Sequence, residues 1–239
     1  FFEFETLATI NLSSAQAITP QVGNKNQMLA AFYHKNLAEL FKSELLSGQR
    51  KIFTAIKKVP HEIAELDVDD AIFFNLNTRA DLRLARGRAE NLNRTTPIIS
   101  ITAPASGTGK TTFIERLIKI FSAQGIKIGV IKSSHHKILS DKINSDSTRF
   151  YKSGAKMVYV GENFFNELDK MSADLIFTES RTHATNPAIS LWRGKGQVIK
   201  DDNVAAIFTS EPHDADDIYQ YDLNDFDSAE KICKFLAAQ

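Results

Sequence analysis

Residues 106–112 read Ser106-Gly107-Thr108-Gly109-Lys110-Thr111-Thr112. An apolar run, Pro97-Ile98-Ile99-Ser100-Ile101-Thr102-Ala103, precedes them. Ile114, Leu117, Ile118 and Phe121 follow at the i, i+3, i+4, i+7 spacing of one helix face. Strand, glycine-rich turn, Gly-Lys-Thr and helix form the context in which a phosphate-binding loop (P-loop) is expected. The glycines let the backbone curl so that successive N–H groups converge on a phosphate. The helix start adds its own N–H groups and the positive end of its dipole. In this reading Ser106, Gly107, Thr108, Gly109, Lys110, Thr111 and Thr112 bind the phosphates. Lys110 reaches the β- and γ-phosphates, and the Thr111 hydroxyl holds Mg²⁺. One position departs from the full pattern: Pro104 stands where the first glycine belongs. It fixes φ and removes one N–H, so the mouth of the loop must differ from the consensus.

Outward from the loop the sequence alternates. Strands are expected over 97–103, 126–132, 156–160, 174–178, 188–193 and 204–208. Helices are expected over 110–123, around 145–153, over 162–171 and from Ser228. This predicts a P-loop NTPase-like α/β fold, a mainly parallel sheet with flanking helices and phosphate sites at the carboxyl ends of its strands. A small incomplete α/β segment precedes it. There, 1 to about 30 is weakly patterned, Ala30-Ala31-Phe32-Tyr33 suggests a strand, 36–46 and 51–58 suggest helices, and 63–68 suggests another strand. Thr78 is a candidate cap for a helix to about Glu90, whose Arg79, Arg83, Arg86 and Arg88 read as a solvated face. The polar stretch Asn91-Leu92-Asn93-Arg94-Thr95-Thr96 reads as a linker, giving domains over 1–92 and 96–239.

Three clusters fall where loops should follow strands. Lys132-Ser133-Ser134-His135-His136 could touch substrate, and Lys132 is assigned to the nucleotide site. The paired histidines lack a cysteine at zinc spacing. Asp146-Ser147, ahead of Arg149 and Lys152, reads either as part of a charged loop over the phosphates or as a capped helix start. Asp174-Leu175-Ile176-Phe177-Thr178-Glu179 is an apolar strand ending in a carboxylate, the pattern of a Walker B element. Glu179 would hold Mg²⁺ with Thr111 or order a water, so Lys110 and Glu179 are the candidate catalytic pair. The base-reading Asn-Lys-x-Asp of ordinary GTPases is absent after the loop, so pattern alone does not separate GTP from ATP.

Composition sets bounds on the partners. The 239 residues carry 43% apolar and 24% charged side chains, ordinary globular values. Lysine plus arginine and aspartate plus glutamate balance at 29 each, which gives no electrostatic footprint for nucleic acid or an anionic membrane. No apolar run approaches the roughly 20 residues of a membrane span. The one cysteine, Cys233, precludes an internal disulfide and fits a reducing, cytoplasmic setting. The opening Phe1-Phe2-Glu3-Phe4-Glu5 carries acids where a signal peptide carries bases, and it lacks Met. The chain is therefore expected to be a fragment with sequence missing upstream.

Residues 97 to about 210 resemble the molybdopterin-guanine dinucleotide biosynthesis protein B family, MobB. The resemblance rests on the 106–112 loop, Gly125-Ile126, Gly129-Val130-Ile131-Lys132, His135-His136, Asp146-Ser147, Ser153-Gly154-Ala155 and 174–179. Ser133, Ser180 and Asn144-Ser145 stand where the family pattern has His, Gly and Gly-Lys. Residues 28–90 are similar to the C-terminal part of molybdenum cofactor guanylyltransferase, MobA. Ala31-Phe32-Tyr33-His34 and Phe73-Phe74-Asn75-Leu76-Asn77-Thr78 with Asp81-Leu82 carry that similarity, with Arg79 in place of a Pro. The resemblance implies a GTP- and Mg²⁺-binding, weakly GTP-hydrolysing accessory protein of molybdenum cofactor biosynthesis. Its partners would be molybdopterin, the guanylyltransferase and a second copy in a homodimer, with Asn75 and Asn77 near the pterin. It also implies that the guanylyltransferase's own nucleotide half is absent. Three other readings stay open: a fragment of a bifunctional guanylyltransferase–adapter, a P-loop small-molecule kinase, and a non-catalytic scaffold whose docking is controlled by nucleotide.

Overall fold

The computed structural model describes residues 15–133, 146–161, 172–180, 186–211, 214 and 217–238. It divides into two units, Phe1–Asn75 and Leu76–Gln239. The second unit is built on a seven-stranded, wholly parallel sheet. Its strands are β5 (Ile98–Thr102), β6 (Ile128–Ser133), β7 (Met157–Gly161), β8 (Leu175–Ser180), β9 (Ala188–Trp192), β10 (Val204–Thr209) and β11 (Tyr219–Asp222). Their order is β11-β10-β9-β5-β8-β6-β7. The chain runs outward from β5 to β6 and β7 on one side and from β9 to β10 and β11 on the other. The order therefore switches beside β5, and the crevice at such a switch is where open α/β sheets place ligands.

Two-sided burial explains the strand composition. Every residue of β5 and of β10 is buried, which a parallel strand covered on both faces requires. Helix Lys110–Ala123 lies against one face through Phe113, Ile114, Leu117, Ile118 and Phe121. Phe113 meets Phe208 of β10 at 5.2 Å and Phe121 meets Phe177 of β8 at 6.1 Å, centroid to centroid. The C-terminal helix Phe226–Ala237 buries Ala229, Ile232, Cys233 and Leu236. Burial pushes the Cys233 thiol far above its ordinary range.

Helix Arg79–Leu92 belongs to this unit and packs on the C-terminal helix and β10. Its start confirms the Thr78 cap. Asp81 donates its backbone N–H to Thr78 Oγ1 at 3.0 Å and accepts from the Thr78 N–H at 2.8 Å, closing a capping box. Its arginines are not simply a solvated face. Arg83 bonds the Asp201 carbonyl at 2.8 Å and Asp217 at 2.7 Å, while Arg88 is buried against the Phe235 ring. Nor is 91–96 a linker. The helix runs through Leu92, and the fully buried Asn91 side chain bonds the N–H and C=O of Ile98 and the C=O of Leu236. A buried amide that completes a strand's backbone pairing is a joint.

The first unit centres on β1 (Ala17–Val22), which pairs antiparallel with β2 (Lys25–Asn26) and β3 (Phe32–Tyr33) and parallel with β4 (His61–Glu65). Helices Ala38–Leu46 and Ile52–Ile56 match the expected pair closely. Three strands carried no sequence signal: β1, the two-residue β2 and β11. Pro20 interrupts β1, and it is accommodated because β3 pairs at Ala17 and Ile18 while β2 pairs at Gln21 and Val22, leaving no antiparallel partner opposite it. β11 is a four-residue edge strand with no apolar run. The helix expected over 162–171 lies outside the described residues.

Candidate functional site

The loop forms as a tight turn at the carboxyl end of β5. Gly107 and Gly109 adopt φ of 77° and 102°, conformations that side chains rarely tolerate. Thr108 and Lys110 are both 6% exposed. Thr108 Oγ1 donates to the Ala105 carbonyl at 2.9 Å, pinning the loop to its own base. Lys110 Nζ reaches back to the same carbonyl at 3.4 Å, a long bond for an ammonium held out of bulk water. Pro104 fits without a loop glycine because Gly196 faces it: a Cβ on Gly196 would lie 3.3 Å from Pro104 Cβ.

The helix after the loop differs from two others in this unit. The helix at Arg79 is closed by the Thr78–Asp81 box, and that at Phe226 by Asp225, which accepts from the Ser228 N–H at 3.0 Å. The helix starting at Lys110 has Gly109 as its N-cap and no side-chain cap. Among the described residues its first-turn N–H groups therefore carry no capping side chain, which is what an anion site needs.

Opposite that turn, parallel pairing aligns Lys132 of β6 with Glu179 of β8. Glu179 accepts from Thr111 Oγ1 at 3.3 Å through each carboxylate oxygen and pairs with Lys132 Nζ at 3.4 Å. A hydroxyl and a carboxylate at this spacing suit two neighbouring positions around a magnesium ion, which takes oxygen ligands at about 2.0–2.1 Å and fills the rest with water and phosphate. Among the described residues no group of three or more His, Cys, Asp or Glu side chains could hold a metal by itself. Thr112 is tied in from outside. Arg149 reaches its hydroxyl at 3.3 Å and grips Glu115 with two bonds of 2.8 Å. The sequence signal for that clamp was the Arg149 already noted, but its partner on the loop helix was not readable.

The family described as "Molybdopterin guanine dinucleotide synthesis protein B" matches residues 98–210. The chain is 30% identical over 159 positions to the molybdopterin-guanine dinucleotide biosynthesis adapter protein of Escherichia coli, covering 56% of this chain and 90% of that relative. It is 30% identical over 145 positions to the adapter protein of Haemophilus influenzae, covering 52% and 81%. The chain belongs to the MobB family.

The MobB match begins at the first residue of β5 and contains every group gathered at the loop: Lys110, Thr111, Thr112, Lys132 and Glu179. Other expected site residues fall elsewhere. Asp146 opens the helix Asp146–Lys152, and the role expected of its carboxylate lies outside the described residues, as do His135 and His136. Asn75 and Asn77 are exposed and precede the MobB match. Asn77 gives its backbone N–H to Asp81 at 3.0 Å, and Asn75 ends the first unit. Among the described residues no helix is long and apolar enough to cross a membrane.

Proposed function

We propose that this chain binds GTP with Mg²⁺ at the 106–112 loop and acts as an adapter in the formation of molybdopterin guanine dinucleotide. The observation that carries the reading is the meeting of Thr111, Glu179 and Lys132 beside an uncapped helix N-terminus, in a chain of the MobB family. The loop amides from Ser106 to Thr112 would surround the phosphate chain, and Lys110 would leave the Ala105 carbonyl to neutralise its charge. Thr111 and Glu179 would hold the magnesium, which would supply charge neutralisation for the phosphates. Glu179 would then turn from Lys132 toward the metal, freeing that ammonium for the phosphates. Glu179 is also the group that would orient an attacking water, and the hydrolysis proposed here is weak, secondary to binding.

The partner would be a molybdenum cofactor guanylyltransferase working on molybdopterin. Residues 1–92 are proposed as a relic of such an enzyme's C-terminal part, with the exposed Asn75 and Asn77 offered to the pterin.

Calorimetry on the whole chain with Mg²⁺ tests the nucleotide half of this. GTP is expected to bind more tightly than ATP, and Lys110→Ala is expected to lose on the order of 10–100-fold in affinity, the worth of one charge-assisted bond in a shielded site. ATP preference with phosphorylation of a small acceptor would instead support a kinase. Unchanged affinity in the Lys110 variant would remove the physical basis of the site.

A further inference from the structure

Resting on the nucleotide reading above, we propose that Arg193 is a phosphate-contacting residue of the same site, delivered from the strand on the other side of the P-loop strand. Nothing in the sequence ties this arginine to the loop; 83 positions separate Lys110 from Arg193. Three observations bring it there.

Topology is the first. β9 pairs with β5 in register Thr102↔Ser190, so the exit of β9 runs beside the exit of β5 into the P-loop. These two exits flank the point where strand order reverses, the side of the sheet where a ligand crevice opens. Distance is the second. Arg193 Nη2 lies 3.5 Å from where a Cβ on Gly109 would stand. Gly109 is the N-cap of the loop helix, so the guanidinium overhangs the residue from which the anion-facing turn begins.

The third is how the arginine is held. Trp192 Nε1 donates to the Gly196 carbonyl at 3.0 Å and closes Arg193-Gly194-Lys195-Gly196 into a compact turn. Gly196 rests on Pro104, and the Glu211 carboxylate lies 3.3 Å from a Cβ position on Gly194. The turn is thus braced on the loop side and on the β10 side. The guanidinium itself is exposed and, among the described residues, has neither a hydrogen bond nor an ion pair. Arg83, Arg88 and Arg149, by contrast, are each paired or packed. A planar, permanently charged fork beside an anion site matches phosphate oxygens. Glu179 and Lys132 serve one flank of the loop, and Arg193 serves the other.

The experiment measures MgGTP binding to the whole chain for wild type, Lys110→Ala, Arg193→Gln and Arg193→Lys. It uses calorimetry and the emission of Trp192, the one tryptophan. Arg193→Gln is expected to weaken MgGTP on the order of tenfold, with the thermal midpoint within about 2 °C of wild type because the side chain is exposed. Arg193→Lys is expected to recover only part of that loss, since an ammonium cannot make the two-pronged contact. The log–log salt slope should flatten in Arg193→Gln. Nucleotide should change Trp192 emission in wild type, with a smaller change in that variant. If Lys110→Ala loses affinity while Arg193→Gln stays within twofold of wild type, Arg193 has no phosphate role and the P-loop reading stands. If neither variant changes affinity, both fall.

Discussion

The two units of this chain use parallel pairing and helices on very different scales. In the second, strands are covered on both faces, and Phe121, Phe150, Phe177 and Phe208 are each no more than 1% exposed. In the first, the buried apolar residues are fewer and mostly small (Ala17, Ile18, Val22, Leu37, Ala55, Ile56 and Ala71), one cluster of them packing with half-buried Tyr33, Phe41 and their neighbours, while Leu29 and Leu46 are 84% and 82% exposed. A rigid, deeply buried sheet holds the loop glycines, Thr111 and Glu179 to fixed spacings, and the site is built there. A thin core gives less restraint, and no comparable convergence of charged groups is present among the first unit's described residues. The difference teaches that the geometry of the candidate site depends on burial far from it, because strand register carries that geometry.

The contrast can be attacked at three depths. Phe177→Ala removes a fully buried ring from the central sheet and is expected to cost about 3–5 kcal/mol in urea denaturation. A loss under about 1 kcal/mol would mean that the second unit is not the tightly packed body described here. A smaller effect is expected at the cap of helix Arg79–Leu92. Burial alone would raise the Asp81 carboxyl, but the Tyr219 hydroxyl, the Thr78 hydroxyl and N–H, and the Asn77 N–H outweigh it and hold the group below its usual range. Its contribution is present above the unfolded value of about 3.9 and is lost as pH falls through the lower folded value. Asp81→Asn should therefore cost about 1 kcal/mol at pH 6, and the gap to wild type should begin to narrow below about pH 4 and shrink further as the pH falls through the lower folded value. A gap that did not narrow as the pH fell would show that the charge is not what matters. The smallest effect belongs to the first unit: Leu46→Ser, at an exposed position, is expected to change stability by no more than about 0.5 kcal/mol. A loss of 2 kcal/mol would mean that this surface is covered in solution, and sedimentation would then identify the covering copy or partner.

Much of the second unit was legible because its signals are local. Glycine spacing, the Gly-Lys-Thr of the loop, the i, i+3, i+4 stripe of its helix and the Thr78–Asp81 capping box each act within one or two turns of chain. Glu179 was legible because an apolar strand ending in a carboxylate is itself a local pattern. Asn91 was misread for the opposite reason. A polar residue in a polar stretch looks like a linker until Ile98 and Leu236 are seen to need its amide. Arg83 and Arg88 were misread likewise, since helical spacing says nothing about Asp217 or Phe235 across the fold.

By itself the sequence determined the glycine turn between β5 and its helix, the alternation that makes a parallel sheet, and the resemblance to MobB, since all three are encoded in short-range spacing. Only the tertiary structure decided which side chains surround the turn. Strand order put Glu179 and Lys132 on one flank and Arg193 on the other, and that order arises from crossovers that bury both faces of the sheet. Spacing along a chain fixes local geometry. Adjacency between distant strands is fixed by burial and register, which no short stretch contains.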